Sequence, residues 1–404
     1  MSDNWLREYV LLAFRIHRVV QTVYGSQFVE AYYGPPEWRQ QAESEPELSA
    51  ANLVRQTMTL ADALPAQEFA SQRASYLAKH VIAMETLCRK LCGEPFPLEE
   101  EAKCCLDISP VWTPEEQFEQ AHALYEMVLP GTGSIAERLK DYKSSLAFPL
   151  DQVDVLKSFI DQAFVEARKR TLVLMELPAG ETIEVQYLPE KAYDAAARYD
   201  GNYRTRIEVN VVASAAELPR LFDHKVCHEA YPGHHTEYVL KEQYLYQQQG
   251  YIEQALVLTL CPQCVNTEGI AMMAHEMIFS PGEAEQWIAE HIYPFLHKEV
   301  DATILLRLRQ ASEMLFSVWD NALMLLDEGR SEAEVAQYFM RYMLVAEDKA
   351  VQMVAHLKHP VDGLYTLTYV GGQKLLRPWL QGPDRVAVFR HFLKKQINPS
   401  SLVL

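Results

Sequence analysis

Apolar positions along most of the chain recur at helical spacing. In residues 4–24 the apolar side chains Trp5, Tyr9, Leu12, Phe14, Ile16 and Val19 form one stripe, which predicts an amphipathic helix. "YYGPPEW" (32–38) reads as a turn because of Gly34-Pro35-Pro36. Residues 47–92 read as two helices parted near Pro65, and "GEPFPLEE" is a break. In "TPEEQFEQAHALYEMVLPG", Thr113 is the expected N-cap, Pro114 the first helical residue, and Pro130-Gly131 the stop. Ser134 with Glu137, and Ser331 with Glu334, have the spacing of capping boxes. Residues 151–176 predict a long helix with Val153, Leu156, Ile160, Phe164 and Ala167 on one side.

The period then switches. "ETIEVQYL" (181–188) and "YRTRIEVNVV" (203–212) alternate and are rich in β-branched residues, so they predict two strands, with Asp200-Gly201-Asn202 as a turn signal in the loop between them. After residue 216 the pattern is helical almost to the end, with "HPVDG" and "YVGGQ" as breaks. The expected fold is mainly α, with one small β-sheet. The best boundary lies near residues 144–151, giving an N-terminal helical region (1–147) and a helical region with the sheet (148–404), or one continuous domain.

Composition narrows the function. The formal net charge of −18 and the lack of a basic run argue against nucleic-acid or anionic-membrane partners. The first twenty residues lack the basic start, apolar run and cleavage site of a signal peptide, and no segment has the roughly 18 apolar residues of a membrane helix. Seven cysteines, an odd number, suit reduced thiols, and the expected location is cytoplasmic. Cys261-Pro-Gln-Cys264 is a C-x-x-C without the second pair of a structural zinc site. Cys88, Cys92, Cys104 and Cys105 form no metal-ligand pattern. The pair Glu119-x-x-His122 stands alone, which leaves a carboxylate di-iron bundle without its second motif.

The chemistry concentrates in "CHEAYPGHHTE" (227–237). Two histidines one helical turn apart can share one zinc ion, and a Glu beside the first can act as general base. Here His228 and Glu229 are in place, but the next histidines are His234 and His235, six and seven residues on. Seven residues of regular helix rise about 10.5 Å, too far for one ion. Pro232-Gly233 disrupts the helix, and looping out two residues restores H-E-x-x-H with His234 as second ligand. That reading favours His234 over His235, which then serves as a supporting donor or substrate contact. A third ligand must come from a later helix, and "NTEGIAMMAHEMI" (266–278) offers Glu268, at the opening of a helix-like run, or Glu276. Tyr369, beside Gly371-Gly372, is the candidate oxyanion donor, with His235 as the other. Strand 203–212 is a candidate edge for an extended peptide, and Arg204 or Arg206 for its carboxylate.

"HEAYPGHHTE" resembles the H-E-x-x-P-G-H-H signature of the bacterial domain-of-unknown-function 885 family, grouped with the gluzincin metallopeptidases. "TEGIAMMAHE" is similar to its E-G-W-A-L-Y-x-E element, with Ile270 and Met273 in place of the Trp and Tyr. Weaker similarities lie at 129–139, 367–375 and the last residues, so the resemblance spans roughly 125–404. It implies a zincin-like multi-helix architecture, with the sheet preceding the metal-binding helix. The implied ligands of Zn2+ are His228, His234 and Glu268, with Glu229 as base. The implied activity is hydrolysis of a peptide. Water-activation chemistry alone serves an amidase or esterase on a small amide or ester equally well, and a non-catalytic helical protein with a relic site is the third reading.

Overall fold

A computed structural model of the chain describes residues 2–189, 191 and 193–403. The first helix, Ser2–Tyr24, buries the predicted stripe, and the Trp5 indole N–H donates to the Leu60 carbonyl at 2.9 Å. Helices Ala50–Ala63 and Ser71–Leu91 flank the break at Pro65 and pack beside it. Ser134 and Ser331 both form the reciprocal capping boxes their spacing implies. Thr113 does not cap. The helix runs Glu115–Val128, with Pro114 just outside it. Asn321 bonds both the N–H and the carbonyl of Thr113, at 2.9 and 2.8 Å, and Lys374 takes its hydroxyl. A tertiary side chain has outbid the local cap.

The described residues carry two sheets rather than one. The larger has strands β2 (Thr182–Leu188), β3 (Ala195–Gly201) and β4 (Arg204–Asn210) in the order β2-β4-β3, with β2 parallel and β3 antiparallel to β4. The segment expected to be a loop thus contains β3, whose Ala195-Ala196-Ala197 lacks β-branched residues. It is held because Ala197 faces fully buried Ile207 across the ladder. Strand β4 is central, so it offers no free edge, and Arg206 is tied to Asp200 on the surface. The second sheet pairs β1 (Val29–Tyr32) with β5 (Leu256–Leu258), antiparallel. Both are too short to show a period, and β1 ends inside the stretch read as a turn.

"YVGGQ" is also not a break. It lies inside the helix Leu367–Leu376, which crosses the helix Pro262–Ile278 at two glycines. A Cβ on Gly269 would sit 2.6 Å from the Gly372 carbonyl carbon, and one on Gly372 would sit 2.7 Å from the Gly269 nitrogen. Backbone meets backbone there. By helix propensity alone, Gly372→Ala would stabilise by about 1 kcal/mol. The crossing reverses the sign. Gly372→Ala is expected to destabilise by about 1–3 kcal/mol in denaturant unfolding, and stabilisation would show that the helices do not approach this closely.

Asp320 is buried beneath the same helix, and one of its carboxylate oxygens, Oδ1, has no hydrogen-bond partner among the described residues. Burial pushes its carboxyl up to about 8, with Lys374 opposing. The native state therefore holds a proton that the unfolded chain releases at lower pH. Stability falls as pH rises from the ordinary carboxylate range to about 8, then levels off. Asp320→Asn removes that slope. Its melting temperature should exceed that of wild type by a margin that widens between pH 4.5 and pH 8.5.

Candidate metal centre

The helix that carries His228 and Glu229 spans Phe222–Ala230 in π-helical form. It ends at Tyr231-Pro232-Gly233, where the Tyr231–Pro232 peptide bond is cis, and a new helix, His234–Lys241, starts at once. The expected bulge inside one helix is thus a junction between two. Gly233 donates its N–H to the Cys227 carbonyl at 2.9 Å, and any side chain at 233 would strike the His228 carbonyl. Close approach, rather than an unusual φ, makes glycine necessary here. The junction sets His228 in the last turn of one helix against His234 in the first turn of the next. Their ring centroids are 4.7 Å apart and nearly perpendicular, at 88°.

Glu268 completes the cluster. It sits in the middle of the Pro262–Ile278 helix rather than opening it, because the chain from Pro262 is already helical. Its carboxylate oxygens lie 3.3 Å from His228 Nε2 and 3.7 Å from His234 Nε2. One ligand atom from each residue falls within 4.8 Å of the others, and all three side chains are buried. Glu276, the alternative, instead pairs with Arg377.

Burial alone would raise the Glu268 carboxyl, but the two imidazoles and the Tyr365 hydroxyl, which donates to Oε1, hold it below its ordinary value. Burial lowers His234 to about 4, so its ring is neutral and has a lone pair to give. For His228, burial is overcome by Glu268 and Glu229, and the net shift is upward. Among the described residues, Glu268 forms no ion pair with a lysine or arginine. Glu268 Oε2 has no hydrogen-bond partner among the described residues. Two imidazoles and one carboxylate converging in a buried cluster, with no lysine or arginine paired to the carboxylate among the described residues, are a donor set that suits a divalent metal.

Glu229 faces the same cavity. Burial moves its carboxyl up to about 7, against the pull of His228 and of the nearby Ala197 backbone. The cavity has two lobes. One, of about 380 Å³, runs past Ala195–Arg198 of β3 to Glu30, Gln27 and Thr259. The other, of about 260 Å³, shares His228, Glu229 and Tyr369 and is walled by Met272, Phe316 and Trp319. Tyr369 lines both, on a helix rather than at a turn, with its ring 6.4 Å from that of His228.

His235 is not brought to the cluster. Adjacent residues on a helix point about 100° apart. His235 therefore turns toward the sheet, where Nδ1 meets the Thr205 hydroxyl at 2.7 Å and Nε2 meets Glu181 at 2.8 Å. Glu181 also accepts from the Tyr231 hydroxyl and pairs with Arg168. Burial opposes ionisation there, but these partners outweigh it and hold its carboxyl down to about 2. Arg204 and Arg206 line neither lobe, while Arg198 does. The sequence pattern missed Glu30, Arg198 and Tyr365. For Tyr365, the i,i+4 pairing with Tyr369 was the available signal; Glu30 and Arg198 had none, since they arrive on short or unpatterned strands.

No family model matches the chain, and no curated protein matches it. Among solved structures it is similar to that of a "putative lipoprotein" from Colwellia psychrerythraea. The TM-score is 0.53 and the identity 15%, over 87% of this chain and 68% of that one. A "putative lipoprotein of unknown function" from Shewanella oneidensis aligns at TM-score 0.45 and 12% identity, over 89% of this chain and 76% of that one. The first likeness establishes a shared fold. No helix among the described residues is long and apolar enough to cross a membrane.

The two adjacent histidines should separate experimentally. His235→Ala breaks a buried hydrogen-bonded pair and is expected to cost about 2–4 kcal/mol in unfolding, with metal stoichiometry unchanged. His234→Ala is expected to abolish metal uptake at smaller cost to the apo fold. The reverse pattern would move the ligand role to His235.

Proposed function

We propose that the chain is a zinc-dependent hydrolase of the gluzincin kind, most closely a metallopeptidase, as its resemblance to the domain-of-unknown-function 885 family implies. The observation that carries this reading is the convergence of His228, His234 and Glu268 beside Glu229 at the floor of a cavity. The three residues would hold the ion. When bound, zinc supplies Lewis acidity, which eases deprotonation of water and polarises a carbonyl.

The rest is done by side chains. Glu229 takes a proton from the attacking water onto its carboxylate and returns it to the leaving nitrogen. Tyr365 is committed to Glu268 and orients the ligand. Tyr369, which faces the cavity from one turn further on, is the donor available to the developing oxyanion. The lobes have room for short peptides or small amides rather than a folded protein chain.

Elemental analysis of untagged protein tests the centre. Wild type is expected to hold about one zinc per chain, as three-ligand catalytic sites do. His228→Ala and Glu268→Ala should lose it. Glu229→Gln should keep it while hydrolysis of a peptide library drops by a factor on the order of 10²–10⁴. Wild type that takes up no zinc even after addition would sink the enzyme reading.

A further inference from the structure

Resting on the hydrolase reading above, we infer that the site takes the free N-terminus of a short peptide, with Glu30 binding its α-ammonium group, so that the enzyme is an aminopeptidase.

Direction comes from β3. One edge of this strand pairs with β4, and Ala195–Arg198 border the cavity that Glu229 also lines. An extended peptide laid along this border has two orientations. Antiparallel, the commoner pairing, sends its N-terminus toward Arg198 and Glu30 and its following residues toward the Phe316 and Trp319 lobe. Parallel, it would send a C-terminal carboxylate to Arg198.

Charge decides between them. The larger lobe is lined by four carboxylates, Glu30, Glu229, Glu268 and Asp362, and by Arg198 as the one lysine or arginine among the described residues. Arg198 is already shared between Glu30 at 3.4 Å and Glu208 at 3.3 Å. A carboxylate arriving there would add a further anion to a guanidinium with two anionic partners. An ammonium group would instead meet Glu30, whose only ion-pair partner among the described residues is that loosely held, shared arginine. The strands β1 and β5, through Glu30, Val257 and Leu258, wall the end where the amine would sit, which leaves the rest of the peptide to extend past the apolar lobe.

The test uses the zinc-loaded full chain with three peptides: Ala-Phe-Ala with both termini free, N-acetylated, and C-amidated. Products are read by mass spectrometry, and binding by calorimetry on the Glu229→Gln protein. Release of the N-terminal alanine is expected from the free and amidated peptides at rates within about threefold, with acetylation lowering kcat/KM at least about 100-fold and weakening binding similarly. Glu30→Gln should raise KM for the free peptide and shrink the penalty of acetylation to about tenfold or less, with zinc content unchanged. Equal cleavage of the acetylated peptide, or loss of cleavage on amidation instead, overturns the inference; the latter assigns the carboxylate to Arg198. If nothing is cleaved but the Glu229→Gln protein binds the free peptide and rejects the acetylated one, the amine site stands and the hydrolase reading falls. If it binds all three alike, the amine site falls.

Discussion

The buried Glu268 carboxylate is the constraint around which the centre is organised. An ionised carboxyl in a dry interior is costly unless partners meet it. Here those partners are two imidazoles and a phenol, all delivered by other elements. The helix that carries Glu268 is buried on nearly every face, so its position is set by packing on all sides. The Gly269–Gly372 crossing brings the Leu367–Leu376 helix close enough for Tyr365, just before it, to reach the carboxylate, and for Tyr369 to face the cavity. A stability feature and a functional one therefore share two glycines.

The Pro232-Gly233 junction solves a separate problem. A continuous helix cannot aim residues six apart at one point. Ending one helix and starting another places His228 and His234 face to face, and it also splits the tandem histidines by role. His234 looks to the cavity. His235 is spent on Glu181 and Thr205, which ties the start of the second helix to the sheet. The sheet in turn borders the cavity beside Glu229 through Ala195–Arg198.

The helical texture, the long first helix, both Ser–Glu capping boxes and the run of His228, Glu229 and His234 were legible along the chain, because each rests on near neighbours in sequence, whereas the residues alone left Glu268 and Glu276 open as third ligand. Period, caps and short motifs are local properties. The mainly α character follows from them, and so does the choice of His234 over His235, since the Pro-Gly pair rules out a regular helix. Tertiary contacts settled the rest. Strands β1, β3 and β5 are too short or too poor in β-branched residues to announce themselves, and they exist because partners far along the chain pair with them. Thr113 was drawn from its cap by Asn321, 208 residues away. The glycines of "YVGGQ" read as a break because glycine usually weakens a helix, yet here they let two helices touch. Glu30 and Arg198 meet across 168 residues, and no local pattern encodes a contact that only the folded chain makes.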